Sequence, residues 1–169
     1  MTLIAETGTG ANPLANSYLT LAEGRALAAE MGLALPVADL AAENALKAAM
    51  GYLEGLSGLY QGHSSNGFEQ PLQWPRRLVF IEGYEYPEDM IPKALKKAQI
   101  STAFEVTENQ VDLYQSADSN VKRRKTDVLE TEYFASKSST VIAFTRVAAN
   151  LKPLLIQSTN YGLLDRIRG

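Results

Sequence analysis

The sequence predicts a mainly α protein: a small helical bundle with a β-hairpin insertion and an extended C-terminal arm. Three observations lead to this prediction. Several stretches before residue 110 place apolar side chains at helical spacing, residues 121–134 alternate as strands do, and a short apolar segment follows a break near the C-terminus. We expect a domain over residues 1–157 and an arm over residues 158–169.

The first two helices have clear signals. Thr20 and Glu23 have the spacing of a capping box, and Gly32 is placed to end the helix that they begin. A second, amphipathic helix is predicted over residues 39–56. The apolar side chains along one face of this helix are Ala42, Leu46, Ala49, Leu53 and Leu56.

Residues 57–91 form a long connection that is rich in glycine and proline. Connections of this length are uncommon in a compact domain unless they are functional or packed against it. Because the connection contains many large apolar side chains, we expect it to be ordered. These large apolar side chains are Trp74, Leu78, Val79, Phe80, Tyr84 and Tyr86. A third helix is predicted from Pro92 to about Gln110.

Residues 121–134 are predicted to form a β-hairpin that turns near Thr126 and Asp127. The facing strand carries Glu130 and Glu132, and two acids offset only part of the charge of four bases. A solvated strand and a contact with phosphate or an acidic partner therefore both stay open. The bases of the first strand are Lys122, Arg123, Arg124 and Lys125.

The C-terminal segment is apolar on both sides of a break at residues 158–162. The seven residues after the break cannot form a core of their own, so they must fold back or dock on a partner. Its apolar residues are Leu154, Leu155 and Ile156 before the break and Leu163, Leu164 and Ile167 after it, and Arg166 and Arg168 add positive charge.

The 169 residues carry a formal net charge of −3, which argues against general coating of nucleic acid. The charge is uneven, because residues 111–169 hold nine basic and six acidic side chains, a net charge of +3. Such asymmetry points to a partner for the C-terminal third. We found no apolar run of the length that a membrane span needs, and the N-terminus lacks the pattern of a signal peptide, so we expect a soluble, cytosolic protein without membrane contact.

The chemistry-bearing residues are few. The chain has no cysteine, which excludes thiol nucleophiles and thiolate metal sites. The single histidine, His63, is predicted to be a solvated loop residue. The acidic residues between 82 and 89 do not match calcium-loop spacing, and no phosphate-binding glycine motif occurs. We therefore predict no enzyme, no catalytic residue, no cofactor and no metal site.

Several motifs, read in order, resemble the small head–tail adaptor (connector) proteins of tailed bacteriophages, a group also described as DnaT-like single-stranded-DNA-binding proteins. The resemblance covers residues 3 to about 156. The motifs are ETGTG (6–10), ANSYLTLAE (15–23), LQWPR (72–76), IPKALKKA (91–98), VKR (121–123), ETEY (130–133) and LKPLL (151–155).

The resemblance implies a mainly helical protomer with a small β element, assembled as a homo-oligomeric ring of twelve. Such a ring is built in the host cytoplasm and joins the portal protein to a downstream tail or nozzle protein in the virion neck. dsDNA passes through its lumen without specific binding. The resemblance also implies that the arm binds the portal, which maps here onto residues 151–169.

Two other functions fit the sequence. One is a single-stranded-DNA-binding accessory protein that uses Lys122 to Lys125, with Tyr114 or Tyr133 as a stacking partner. The other is a general helical module for protein interaction.

Overall fold

The computed structural model describes residues 2–10, 12–108, 124–126, 129–131 and 145–156. Within these ranges the chain forms four α-helices and three separate two-stranded antiparallel sheets. The helices are α1 (Leu21–Glu30), α2 (Asp39–Gly55), α3 (Lys93–Glu108) and α4 (Thr145–Leu151). The paired strands are β1 (His63–Ser64) with β2 (Arg76–Arg77), β3 (Phe80–Ile81) with β4 (Tyr84–Glu85), and β5 (Arg124–Thr126) with β6 (Leu129–Thr131).

The ends of α1 confirm the prediction made from its caps. The Thr20 side chain accepts a hydrogen bond from the Glu23 backbone, and the Glu23 carboxylate accepts one from the Thr20 backbone. At the other end Gly32 has a φ of +67°, and the Leu33 N–H donates to the Ala28 carbonyl at 2.8 Å. This left-handed termination satisfies carbonyls that the last turn leaves free.

Helix α2 buries the apolar face that its sequence predicts. Ala42, Leu46, Ala49 and Leu53 are fully buried, whereas Glu43 and Lys47 form an i,i+4 ion pair at 3.6 Å on another face. Burial of a leucine side chain stabilises the fold by about 2 kcal/mol, far more than such an ion pair. The apolar face therefore determines the orientation of α2 relative to the core.

Helix α3 is the central helix of the described structure. It contacts α1, α2 and α4, and it separates two groups of buried side chains. Gln99, in the middle of α3, is fully buried with its polar atoms satisfied. Its amide nitrogen donates to Ser17 Oγ at 2.9 Å and to the Leu46 carbonyl at 3.2 Å, and its oxygen accepts from the Tyr18 N–H.

The connection between α2 and α3 is ordered, as the sequence predicts. It holds four of the short strands and the 3-10 turns Ser57–Leu59 and Gly67–Glu69. It also supplies core side chains that pack against α2, α3 and α4. The buried ones are Tyr60, Leu72, Trp74 and Val79.

The predicted fold class is wrong in describing a small helical bundle. About a fifth of the chain lies in the irregular connection between two helices, and that connection builds much of one core group. Three two-stranded sheets replace the single hairpin of the prediction. A bundle needs helices that cover one another, but here Leu95 and Ala98 of α3 share a core group with buried side chains of the irregular connection. A mainly α description remains compatible with the structure, and the predicted arm over residues 158–169 lies outside the described residues.

Candidate functional site

Arg76 is a buried arginine that ties the connection together. Its guanidinium donates to the carbonyls of Gln61 and Gly62, each at 2.7 Å, and to the side chain and carbonyl of Gln73 at 3.0 and 3.3 Å. It also lies over the Tyr60 ring, 5.9 Å from the centroid. With 6% exposure, this charge is tied up within the fold and is not available to a ligand.

Tyr18 and Glu54 form a second buried polar contact, next to Arg76. The Tyr18 hydroxyl donates to one Glu54 carboxylate oxygen at 2.5 Å, and the Gln73 N–H donates to the other at 2.8 Å. Burial raises the pKa of Glu54 despite these two hydrogen bonds, and burial together with the Glu54 charge raises the pKa of Tyr18 well above its ordinary value. Both carboxylate oxygens are engaged by the protein itself, which indicates a structural role.

The N-terminal motif is also used within the fold. Glu6 is buried, and one of its carboxylate oxygens accepts hydrogen bonds from the Gly8 and Gly10 N–H groups, both at 2.9 Å. Gly8 has a φ of +108°, and a Cβ there would lie 2.1 Å from the Asp89 carbonyl oxygen. The glycines therefore allow a close approach of two backbone segments, and they do not form a phosphate cradle.

Three of the motifs that carry the family resemblance thus have structural roles. Residues 6–10, 15–23 and 72–76 bury Glu6, Tyr18 and Trp74 and hold Arg76 in place. A site that contacts a ligand has to be sought in other parts of the surface.

Two residues of the predicted basic run, Arg124 and Lys125, lie in a described strand. Strands β5 and β6 place Lys125 opposite Glu130 and Arg124 opposite Thr131. Thr126 is the last residue of β5, and Asp127, the other residue of the predicted turn, lies outside the described residues. Lys122 and Arg123 lie outside the described residues.

The residues proposed for the arm have different surroundings. Leu154 is fully buried in the core, and Leu155 is half-buried in an antiparallel bridge with Tyr60. Ile156 is 61% exposed. Of this predicted set, Leu163, Leu164, Arg166, Ile167 and Arg168 lie outside the described residues.

A surface groove of about 550 Å³ was not predicted from the sequence. Its apolar lining consists of Leu78, Phe80 and Ile156, which are 52, 50 and 61% exposed. Leu78 and Phe80 were expected to pack inward with Trp74 and Val79. Leu78 has a φ of +58°, and the two-residue turn at Glu82 and Gly83 has φ values of +53° and +87°. These dihedrals leave both apolar side chains half-exposed, and Gly83 was the only sequence signal for such a turn.

No group of three or more His, Cys, Asp or Glu side chains could hold a metal ion among the residues that the structure describes. His63 is exposed, and it lies in β1 opposite Arg77 and not in a loop. In the same described part of the chain, every helix is too short or too polar to cross a membrane.

Comparison with known proteins gives a match to a family model. The family model DnaT_2, described as "Putative DnaT-like ssDNA binding protein", matches residues 1–169. No curated protein and no solved structure matches the chain. Because the family model covers the whole sequence, the chain belongs to the DnaT_2 family.

Proposed function

We propose that this protein binds single-stranded DNA through the hairpin of residues 121–134. The observation that carries the proposal is the strand register, which pairs Lys125 with Glu130 but leaves Arg124 opposite the uncharged Thr131. An opposite charge directly across a strand pair contributes about 0.2–1 kcal/mol and neutralises its partner. The register places an uncharged residue opposite Arg124. The name of the matched family supports this function.

The acidic balance of residues 1–110 disfavours phosphate binding over the larger part of the chain. Residues 1–110 have a net charge of −6, so phosphate is repelled from the body and attracted to Lys122 to Lys125. Tyr114 and Tyr133 are the aromatic residues nearest the basic run in sequence, and stacking on a base contributes about 1–3 kcal/mol. Single-stranded DNA is favoured over a duplex because only its bases are free to stack.

Reversal of two charges tests the proposal. We expect the double variant Arg123→Glu with Arg124→Glu to bind a labelled oligothymidine of about 20 nucleotides at least 100-fold more weakly at low salt. The reason is that the net charge of residues 122–125 falls from +4 to zero, and each phosphate contact releases about 0.7 counterions. Fluorescence anisotropy measures the dissociation constant.

The matched control is Arg77→Glu with Lys152→Glu, two exposed bases outside the hairpin. This control should change the dissociation constant far less than the hairpin variant does. Equal losses in the two double variants would show that net charge, and not the hairpin, governs binding.

A head–tail adaptor is the second candidate function, and the exposed apolar groove favours it. A ring assembled head-to-tail needs two different surface patches on each subunit, and exposed apolar side chains are suited to such a patch. On this proposal twelve copies join the portal to a tail or nozzle protein in the virion neck, and Leu163, Leu164 and Ile167 dock on the portal with the two arginines beside them.

The adaptor hypothesis has a separate test. Mixed with its portal, an adaptor should appear in negative-stain microscopy as rings of fixed stoichiometry, and it should ignore free DNA. Leu163→Asp with Ile167→Asp should abolish that complex. If this variant still docks on the portal, the arm is not the portal contact.

A further inference from the structure

The groove described above is both apolar and acidic. Leu78, Phe80 and Ile156 line it, together with Glu82. The pairing of β3 with β4 places Glu85 directly opposite Phe80, so these two residues lie on the same face of the hairpin. Among the described lining residues there is no basic side chain. The surface therefore suits an occupant that is apolar and positively charged.

The polar lining of the groove is already satisfied by the protein. The Gln61 side-chain oxygen accepts from the Phe80 N–H at 3.1 Å, and its amide nitrogen donates to the Pro153 carbonyl at 3.0 Å. An occupant can bury apolar side chains here without having to supply hydrogen bonds to Gln61.

The chain itself leaves the described structure at this groove. The Gln61 N–H donates to the Leu154 carbonyl at 3.0 Å, and the Ile156 N–H donates to the Leu59 carbonyl at 2.8 Å, which fixes the exit point at the lining residue Ile156. Residues 157–162 then separate Ile156 from Leu163. Six residues treated as a random coil have a root-mean-square span of about 13 Å, which is within reach of a groove that begins at Ile156.

We propose that residues 163–168 of the same chain dock in this groove. Leu163, Leu164 and Ile167 have the i, i+1, i+4 spacing of one helix face, which matches the way a short amphipathic helix enters an apolar groove. Arg166 and Arg168 give this segment, which also contains Asp165, a net charge of +1 that complements Glu82 and Glu85.

The same chain is a better occupant than a second copy because of the short tether. A tether of this length holds the segment at an effective concentration of about 1 mM, well above ordinary protein concentrations. The inference does not depend on DNA binding. If the segment docks in the groove, a partner that binds Leu163, Leu164 and Ile167 must first displace these residues from the groove.

A labelled synthetic peptide of residues 158–169 tests the proposal on the full-length chain. We expect the peptide to bind the variant Leu163→Asp with Ile167→Asp saturably, because that variant leaves the groove open. It should bind the wild-type chain at least about 10-fold more weakly, since the tethered segment competes. Adding Phe80→Glu to the open variant should abolish peptide binding, and fluorescence anisotropy measures all three.

Limited trypsin cleavage gives a second measurement without altering the arm. Cleavage after Arg166, followed by mass spectrometry, should be several-fold faster in Phe80→Glu than in the wild-type chain. The control Phe68→Glu changes a fully exposed residue outside the groove and should leave the cleavage rate unchanged. Three results would overturn the proposal. The peptide could bind the wild-type chain and the open variant equally, or it could fail to bind the open variant. Trypsin could also cleave Phe80→Glu and the wild-type chain at the same rate. A wild-type chain that elutes as a dimer and dissociates on addition of peptide would instead show that a second copy fills the groove.

Discussion

Replacing Arg76 with methionine is expected to lower the free energy of unfolding by about 3 kcal/mol or more, because it breaks several hydrogen bonds to a buried charged group. The substitution removes every donor that the Gln61, Gly62 and Gln73 carbonyls receive from the guanidinium. An acceptor left without a partner costs about 1–3 kcal/mol when it is buried, and these partly buried carbonyls lose up to that amount each. Methionine keeps most of the side-chain volume, so the loss reports hydrogen bonding more than packing.

The neighbouring arginine is a matched control for this measurement. Arg77 is exposed, and Arg77→Met should change stability by less than about 0.5 kcal/mol. Urea unfolding followed by circular dichroism gives both values. If the two variants unfold at the same urea concentration, Arg76 does not hold the connection together.

Replacing Gly62 with alanine is expected to destabilise the protein by about 3 kcal/mol or more. Gly62 has a φ of +61°, and a Cβ there would lie 2.0 Å from the Arg77 carbonyl oxygen, so the pairing of β1 with β2 has to shift. A left-handed alanine costs about 1–2 kcal/mol, and forced overpacking adds about 1–3 kcal/mol.

Gly67 separates these two contributions. It has the same φ of +61°, but no atom lies within 4 Å of the position of its Cβ. Gly67→Ala should therefore cost only the left-handed term, about 1 kcal/mol. Thermal unfolding of the two variants measures the difference, and equal melting temperatures would mean that the contact with Arg77 relaxes freely.

The helices could be predicted because their signals are local. Thr20, Glu23 and Gly32 lie within one short segment, and their backbone geometry follows from the side chains themselves. The apolar face of α2 is similarly a matter of spacing along one helix. The antiparallel pairing of β5 with β6 was also predicted from a local alternation of residues.

The arrangement of the connection could not be predicted because it depends on distant contacts. Arg76 and Arg77 are adjacent and chemically identical, yet one is buried against carbonyls of residues 61 and 62 and the other faces solvent. No pattern in residues 57–91 distinguishes them. The prediction of a small helical bundle was wrong for the same reason. Helical spacing does not reveal that Tyr60, Trp74 and Val79 share a core group with side chains of α3.

The candidate site was predicted in part. The basic run was visible in the sequence, but the register that leaves Arg124 opposite Thr131 required the strand pairing. The groove at Phe80 was missed, because large apolar side chains were expected to be buried. Leu78 and Glu82 have positive φ values, which are rare in residues other than glycine. Apart from Gly83, nothing in the neighbouring sequence predicts this backbone conformation.

The salt dependence of binding to single-stranded DNA tests the central claim most directly. If Lys122 to Lys125 contact four phosphates, the slope of log affinity against log salt should be about −2.8, so raising salt from about 50 to about 200 mM should weaken binding about 50-fold. Anisotropy titrations of the wild-type chain with oligothymidine measure this slope. An affinity that does not change over that range, or no binding at the lowest salt, would contradict DNA binding through the hairpin.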